Sequence, residues 1–303
     1  MGINKSVFDD SMEIVTNILN KFDISDKERR INRITKIYNN MLKNNAVDRE
    51  FYSLAHELKS YEFIRLFWEA KLSNDTKSKP GPDITYGNNQ IECVCCSEGE
   101  ILKAGFKKYS INHSKKKSMV IDYNKKKEFL LPRITSSLKY KRDIIEDYIK
   151  RGIIKQNECA IIFISLGELN IEFNAGDYGM NILEVLIGKG CLCITFDRHK
   201  EKFVDSYYQH IENIQKNNGK KIIDISANFF NSENINISGI IFSTAPIYEQ
   251  YDFNNTFLFL NPFAKNQINV KDFNDIIYWQ IIENDEYVPM KNTKRIKINT
   301  KIW

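Results

Sequence analysis

The chain has 303 residues, of which 42% are hydrophobic and 27% charged, with a net charge of +5. That is the profile of a globular protein with room for one large α/β domain or two small ones. No run approaches the roughly 20 apolar residues of a membrane span, and the N-terminus lacks the apolar core of a secretory signal. A cytoplasmic protein without a membrane partner is expected.

Residues 6–46 read as two helices. Val7, Met12, Ile14, Val15, Ile18 and Leu19 make one apolar face, and Ile31, Ile34, Ile37, Tyr38 and Leu42 make the other. Ser25-Asp26 between them fits an N-cap. Residues 1–48 are therefore expected to be a helical extension, used for packing or for a partner, with an α/β domain over 49–303.

Residues 49–72 predict a third helix whose stripe is Leu54, Leu58, Tyr61, Ile64 and Trp68. Glu57 falls on that stripe, four residues before Tyr61, while Glu62 and Glu69 are turned away from it. An acid on a core-facing row needs a reason. It either reaches water past its packed stem or meets a cation. His56, next to it, is expected to point elsewhere.

Pro80-Gly81-Pro82-Asp83 leads into a β-hairpin, because Gly87-Asn88-Asn89 is a turn signal between Ile84-Thr85-Tyr86 and Gln90–Cys95. Pro82 presets the chain before Asp83, and Gly81 allows close backbone approach. Asp83 then opens one strand and Glu92 lies within its neighbour, among Ile91, Cys93, Val94, Cys95 and Cys96. Two ionised carboxylates on adjacent apolar strands are costly without a counter-charge, so they invite a divalent metal.

Lysines crowd the next interval, among them Lys103, Lys107, Lys108, Lys115, Lys116, Lys117 and Lys125–Lys127. A basic patch beside candidate metal ligands suits a polyanion, and a solvated Lys-rich insertion is the plainer account. A short strand is expected at 119–122. Pro132 is expected to open a helix running to about Gly152, with the stripe Ile134, Leu138, Lys141, Ile145 and Tyr148. Lys141 thus stands on a core-facing row, with Arg133 about two turns before it. An inward Lys calls for a carboxylate or a phosphate, or else snorkels at the helix flank.

Apolar runs at 159–165, 190–196, 238–243 and 256–260 predict further strands of one mixed sheet, and the tail 291–303 could add an edge strand. The six cysteines (Cys93, Cys95, Cys96, Cys159, Cys191, Cys193) lie in or beside these runs. Buried free thiols and a zinc site both remain open, although the spacing matches no standard finger. No phosphate-cradling glycine loop or nucleophile elbow is present by pattern.

Pro82-Asp83, followed after an interval by Glu92-x-Val94, resembles the PD-(D/E)XK nuclease superfamily over roughly residues 49–166. The resemblance implies a restriction-endonuclease-like α-β-β-β-α-β core in which an Asp and a Glu on a hairpin hold Mg²⁺ or Mn²⁺. A Lys two residues after the Glu aids catalysis in that family, and here that position is Val94. Some divergent branches supply the Lys from the following helix, which points to Lys141 with Arg133. The family also places a helix Glu beside the pair, which points to Glu57, and the Cys93 backbone carbonyl would complete the metal ligands. The function implied is metal-dependent hydrolysis of nucleic-acid phosphodiesters, with Lys107, Lys108, Lys115, Lys116 and Lys117 gripping the backbone. The alternative is a nucleic-acid-binding or protein-interaction module on the same fold that has lost catalysis. DNA is not told from RNA, and the oligomeric state is open.

Overall fold

The computed structural model describes residues 5–73, 80–96, 123–166, 182, 184–187, 192–197, 202–208, 213–216, 221–224, 229–273, 276–281, 287–291 and 294–295. The expected strand at 119–122, the lysines of 103–117 and Cys191 lie outside these residues. The chain divides into two compact units, one of residues 1–97, 137–172 and 232–299, the other of residues 98–136, 173–231 and 300–303.

Three helices lead the first unit: α1 (Lys5–Lys21), α2 (Lys27–Asn44) and α3 (Arg49–Arg65). The break between α1 and α2 falls where Asp26 was expected to cap. Its carboxylate, however, caps no backbone group and instead accepts from Arg29 and Arg30. Asp48 does cap α3, accepting from the Glu50 N–H at 2.9 Å. Helix α3 ends at Arg65, earlier than its apolar stripe suggests. The chain turns there, and Trp68 stacks on Tyr86 with ring centroids 4.2 Å apart and planes 8° from parallel. That stack lies beside β1 (Lys71–Leu72), which pairs antiparallel with β2 (Ile84–Tyr86).

The hairpin forms as expected. Gly87 takes φ +50° in the turn, a conformation that favours glycine, and Asn89 already pairs with Tyr86 at the start of β3 (Asn89–Cys95). Next comes α4 (Tyr123–Lys150), which contains Pro132 instead of starting at it. A proline inside a helix removes one backbone hydrogen bond, and fully buried Leu131 and Ile134 on either side point to packing as what sustains the helix. β4 (Cys159–Ser165) then runs parallel to β3.

Beyond β4 the strands are β5 (Leu192–Asp197), β6 (Lys202–Tyr208), β7 (Asn213–Lys216), β8 (Lys221–Asp224), β9 (Ile237–Ser243), β10 (Thr256–Leu260), β11 (Ile277–Ile281), β12 (Tyr287–Lys291) and β13 (Lys294–Arg295). Nine strands form one mixed sheet in the order β1-β2-β3-β4-β9-β10-β11-β12-β13. β9 lies parallel to β4 and antiparallel to β10, β11 is parallel to β10, and β12 and β13 finish the edge antiparallel. The expectation that the 190–196 run joins this sheet is corrected. β5 pairs with β6, and β7 with β8, as two separate hairpins in the second unit.

Alternation along the central strands gives the sheet two buried faces. Ile91, Cys93, Ile161, Phe163, Ile241 and Leu258 share one core with α1, α2 and α3. Ile162, Ile164, Ile240, Phe242 and Phe259 are buried on the other face, which α4 meets through Lys141. Among the described residues no helix is long and apolar enough to cross a membrane.

Candidate functional site

The hairpin register places Asp83 opposite Glu92, one step beyond the last β2–β3 pair, Ile84 with Ile91. Opposed residues on one face of an antiparallel pair are close enough to interact, and two carboxylates there repel. Asp83 is steadied by the Cys93 N–H, which donates to its Oδ2 at 2.7 Å. That amide falls past the end of β2, so a side chain takes the place of a ladder carbonyl.

Lys141 supplies the counter-charge. From α4, its Nζ donates to Glu92 Oε2 at 2.6 Å and lies 3.5 Å from Asp83 Oδ2. The Lys141 side chain is 12% exposed and that of Glu92 3%. Burial and the neighbouring Asp83 push the Glu92 carboxyl up to about 7, against the pull of Lys141. Burial works against the Lys141 ammonium as well, but Asp83 and Glu92 outweigh it and hold it above the ordinary lysine value. The rest of its expected stripe is in place, with Ile134, Leu138 and Ile145 buried. Tyr148, on the same row, has its hydroxyl raised to about 12 by burial and by the two acids.

Glu57 has a partner of its own. Its Oε1 accepts from Arg30 Nη1 at 2.9 Å, and its side chain is 19% exposed. Its charge is still felt at Glu92 and at the Cys93 thiol, which burial pushes well up. Arg133 lies on the part of α4 that belongs to the second unit and is half-buried there. Lys107, Lys108, Lys115, Lys116 and Lys117 lie outside the described residues.

Glu92 Oε1 is buried and makes no hydrogen bond. A carboxylate oxygen in that condition, beside a second carboxylate, is chemistry that suits one hard divalent cation such as Mg²⁺ or Mn²⁺. Among the described residues, however, no group of three or more His, Cys, Asp or Glu side chains is placed to hold a metal ion. Among the described residues the acids brought together here are Asp83 and Glu92, and they share Lys141.

Sequence periodicity missed two features. Arg30 is 2% exposed and falls in the buried row of α2 with Ile34, Ile37 and Met41. The inward-charge signal that picked out Glu57 and Lys141 applies to it equally. The second feature is a polar network under α3. His56 Nε2 faces the Phe163 carbonyl at 2.9 Å, so that nitrogen carries the hydrogen, and Nδ1 accepts from the Tyr251 hydroxyl at 2.6 Å. Burial pushes this histidine down to about 3 and keeps it neutral. Lys59 beside it donates to the Pro246 and Ile247 carbonyls and lies over the Tyr251 ring. His56 is thus a buried anchor between α3, β4 and the 246–251 loop.

A surface depression of about 500 Å³ is lined by Arg142, Glu146, Lys150, Ser232 and Asn236 among others, and none of Asp83, Glu92 and Lys141 lines it. Comparison with protein-family models, with curated proteins and with solved structures found no match for the chain.

Proposed function

We propose that Asp83, Glu92 and Lys141 form the centre of a metal-dependent phosphodiesterase acting on nucleic acid, on a restriction-endonuclease-like core. The observation that carries this reading is the convergence of one ammonium on two cross-strand carboxylates, at 2.6 and 3.5 Å. The chain order α3-β1-β2-β3-α4-β4, with an antiparallel β1–β3 run and a parallel β3–β4 pair, supports it.

Asp83 and Glu92 would hold Mg²⁺ or Mn²⁺, with the Cys93 carbonyl as a further oxygen donor. A divalent ion supplies a low-pKa water and offsets phosphate charge when bound. Lys141 keeps its proton and holds a fixed positive charge where negative charge builds on a phosphate oxygen. Cys93 N–H orients Asp83, and the buried setting of Glu92 keeps water from screening these charges. Val94 contributes no charge, and Lys141 stands in for the lysine that the motif would place there. Arg133 and the lysines from Lys107 to Lys117 are proposed as phosphate contacts, with DNA or RNA as the partner.

Two observations favour a second reading, a nucleic-acid-binding or protein-interaction module without catalysis. Among the described residues only two acids converge, and Lys141 already offsets one of their two charges. Both readings are tested by incubating the protein with single- and double-stranded DNA and RNA, with and without Mg²⁺ or Mn²⁺. Cleavage that Asp83→Asn and Glu92→Gln each reduce by about 10²–10³ supports the enzyme. Salt-dependent binding without cleavage supports the module. Neither cleavage nor binding overturns the nucleic-acid reading altogether.

A further inference from the structure

Arg30 is a buried cation, 2% exposed, and one of its three partners leads to this centre. Its Nε donates to Asp26 Oδ1 at 2.8 Å, Nη1 to Glu57 Oε1 at 2.9 Å and Nη2 to the Ser73 carbonyl at 2.5 Å. Burial works against its charge, but Glu57 and Asp26 outweigh that and hold the guanidinium firmly protonated. The fork therefore ties α2 to α3 and to the residue just after β1.

The third contact leads on to the site. Ser73 N–H donates to the Asp83 carbonyl at 2.8 Å, and Ser73 Oγ donates to the Pro82 carbonyl. These bonds extend the β1–β2 pairing one step past Leu72 with Ile84. They fix the backbone from which Asp83 reaches the Cys93 N–H and Lys141. Two hydrogen bonds in series thus run from Arg30 Nη2 to the Asp83 main chain. The same guanidinium holds Glu57, whose charge acts on Glu92. A lysine at position 30 would carry the charge without the planar fork, so it could not serve three acceptors in these directions.

We propose that Arg30 is a positioning residue of the Asp83–Glu92 site, setting the Asp83 carboxylate through Ser73 while holding Glu57 in place. The metal arm of its test rests on the proposed function, whereas the geometric arm does not. The Cys93 amide reports that geometry directly, because its hydrogen is held by Asp83 Oδ2.

The test uses the full chain with Arg30→Lys and with Arg30→Met/Glu57→Gln, the latter removing both charges of the buried pair and leaving Asp26 with Arg29. Amide exchange is followed by NMR, and Mn²⁺ binding by calorimetry. In both variants Cys93 should exchange at least about tenfold faster than in the parent, while Ile161 and Phe163 in β4 keep their protection. Mn²⁺ affinity should fall by about tenfold or more. Parental Cys93 exchange in Arg30→Lys, or in a folded double variant, overturns the proposal and leaves Arg30 as a packing ion only. Should the double variant fail to fold, Arg30→Lys decides alone. A parent that neither binds Mn²⁺ nor cuts nucleic acid removes the enzyme reading, and Cys93 exchange still decides the role of Arg30.

Discussion

Replacing Lys141 by Met strips from Glu92 the ammonium that lies 2.6 Å from its Oε2, in a side chain that is 3% exposed and whose Oε1 already makes no hydrogen bond. Breaking a buried ion pair by removing one partner costs about 3–5 kcal/mol, because the other charge stays buried. Glu92 has a way out, however. Its carboxyl sits near 7 with Lys141 present, so without the ammonium it rises further and takes up a proton at neutral pH. The loss should therefore depend on pH. At pH 9 the parent keeps its ammonium, held above the ordinary lysine value, and the variant must bury a bare carboxylate. The penalty should be about 3–5 kcal/mol there and shrink by about 1.4 kcal/mol per pH unit as pH falls towards 7, where Glu92 of the parent takes up its own proton and the difference levels off. Urea denaturation of the parent, Lys141→Met, Glu92→Gln and the double variant between pH 5 and pH 9 measures this as a double-mutant cycle. The double variant should lie within about 1–2 kcal/mol of the parent, since both charges leave together. A pH-independent penalty, or zero coupling at pH 9, would refute the picture of a desolvated Lys141–Glu92 pair.

Burial pushes Lys59 down to about 7 from its ordinary 10.5, so between these values the folded state binds fewer protons than the unfolded one. Stability should rise with pH across that window, and Lys59→Met should remove the rise; equal slopes in parent and variant would show that Lys59 stays charged. At Gly239 in β9 an added Cβ would meet the Ile268 side chain at 2.7 Å and the Phe259 carbonyl at 2.8 Å. Gly239→Ala should cost about 1–3 kcal/mol in thermal or urea unfolding, and an unchanged midpoint would mean that β9 and β10 lie further apart than described.

The legible parts of this protein are those whose signal is local. The turn at Gly87-Asn88 and the two short apolar runs around it sufficed for the hairpin, because strand alternation and turn chemistry act over a few residues. The inward rows of Glu57 and Lys141 were legible for a similar reason, since a helix repeats every 3.6 residues and a charge on an apolar row stands out. Periodicity reports that a charge faces inward, but its partner is chosen by the fold. Lys141 met Glu92 across 49 residues, whereas Glu57 met Arg30 across 27 and so did not join the acidic pair as a third free carboxylate.

Tertiary structure alone decided the rest. Helix α3 is buried on nearly every side, Phe51, His56, Lys59, Ser60 and Phe63 included, because it is enclosed by α1, α2 and the sheet. The single stripe read from the sequence covered only part of so buried a helix, and so the His56–Tyr251 anchor went unread. Sheet order was likewise hidden: β5 and β9 are both short apolar runs, yet β9 lies beside β4 while β5 pairs with β6 in another unit. A strand's composition sets its need for cover on both faces, and long-range packing determines which strands lie beside it. The sequence by itself therefore marked Glu57, Glu92 and Lys141 as charges carried inward, and the tertiary structure decided which of those charges meet.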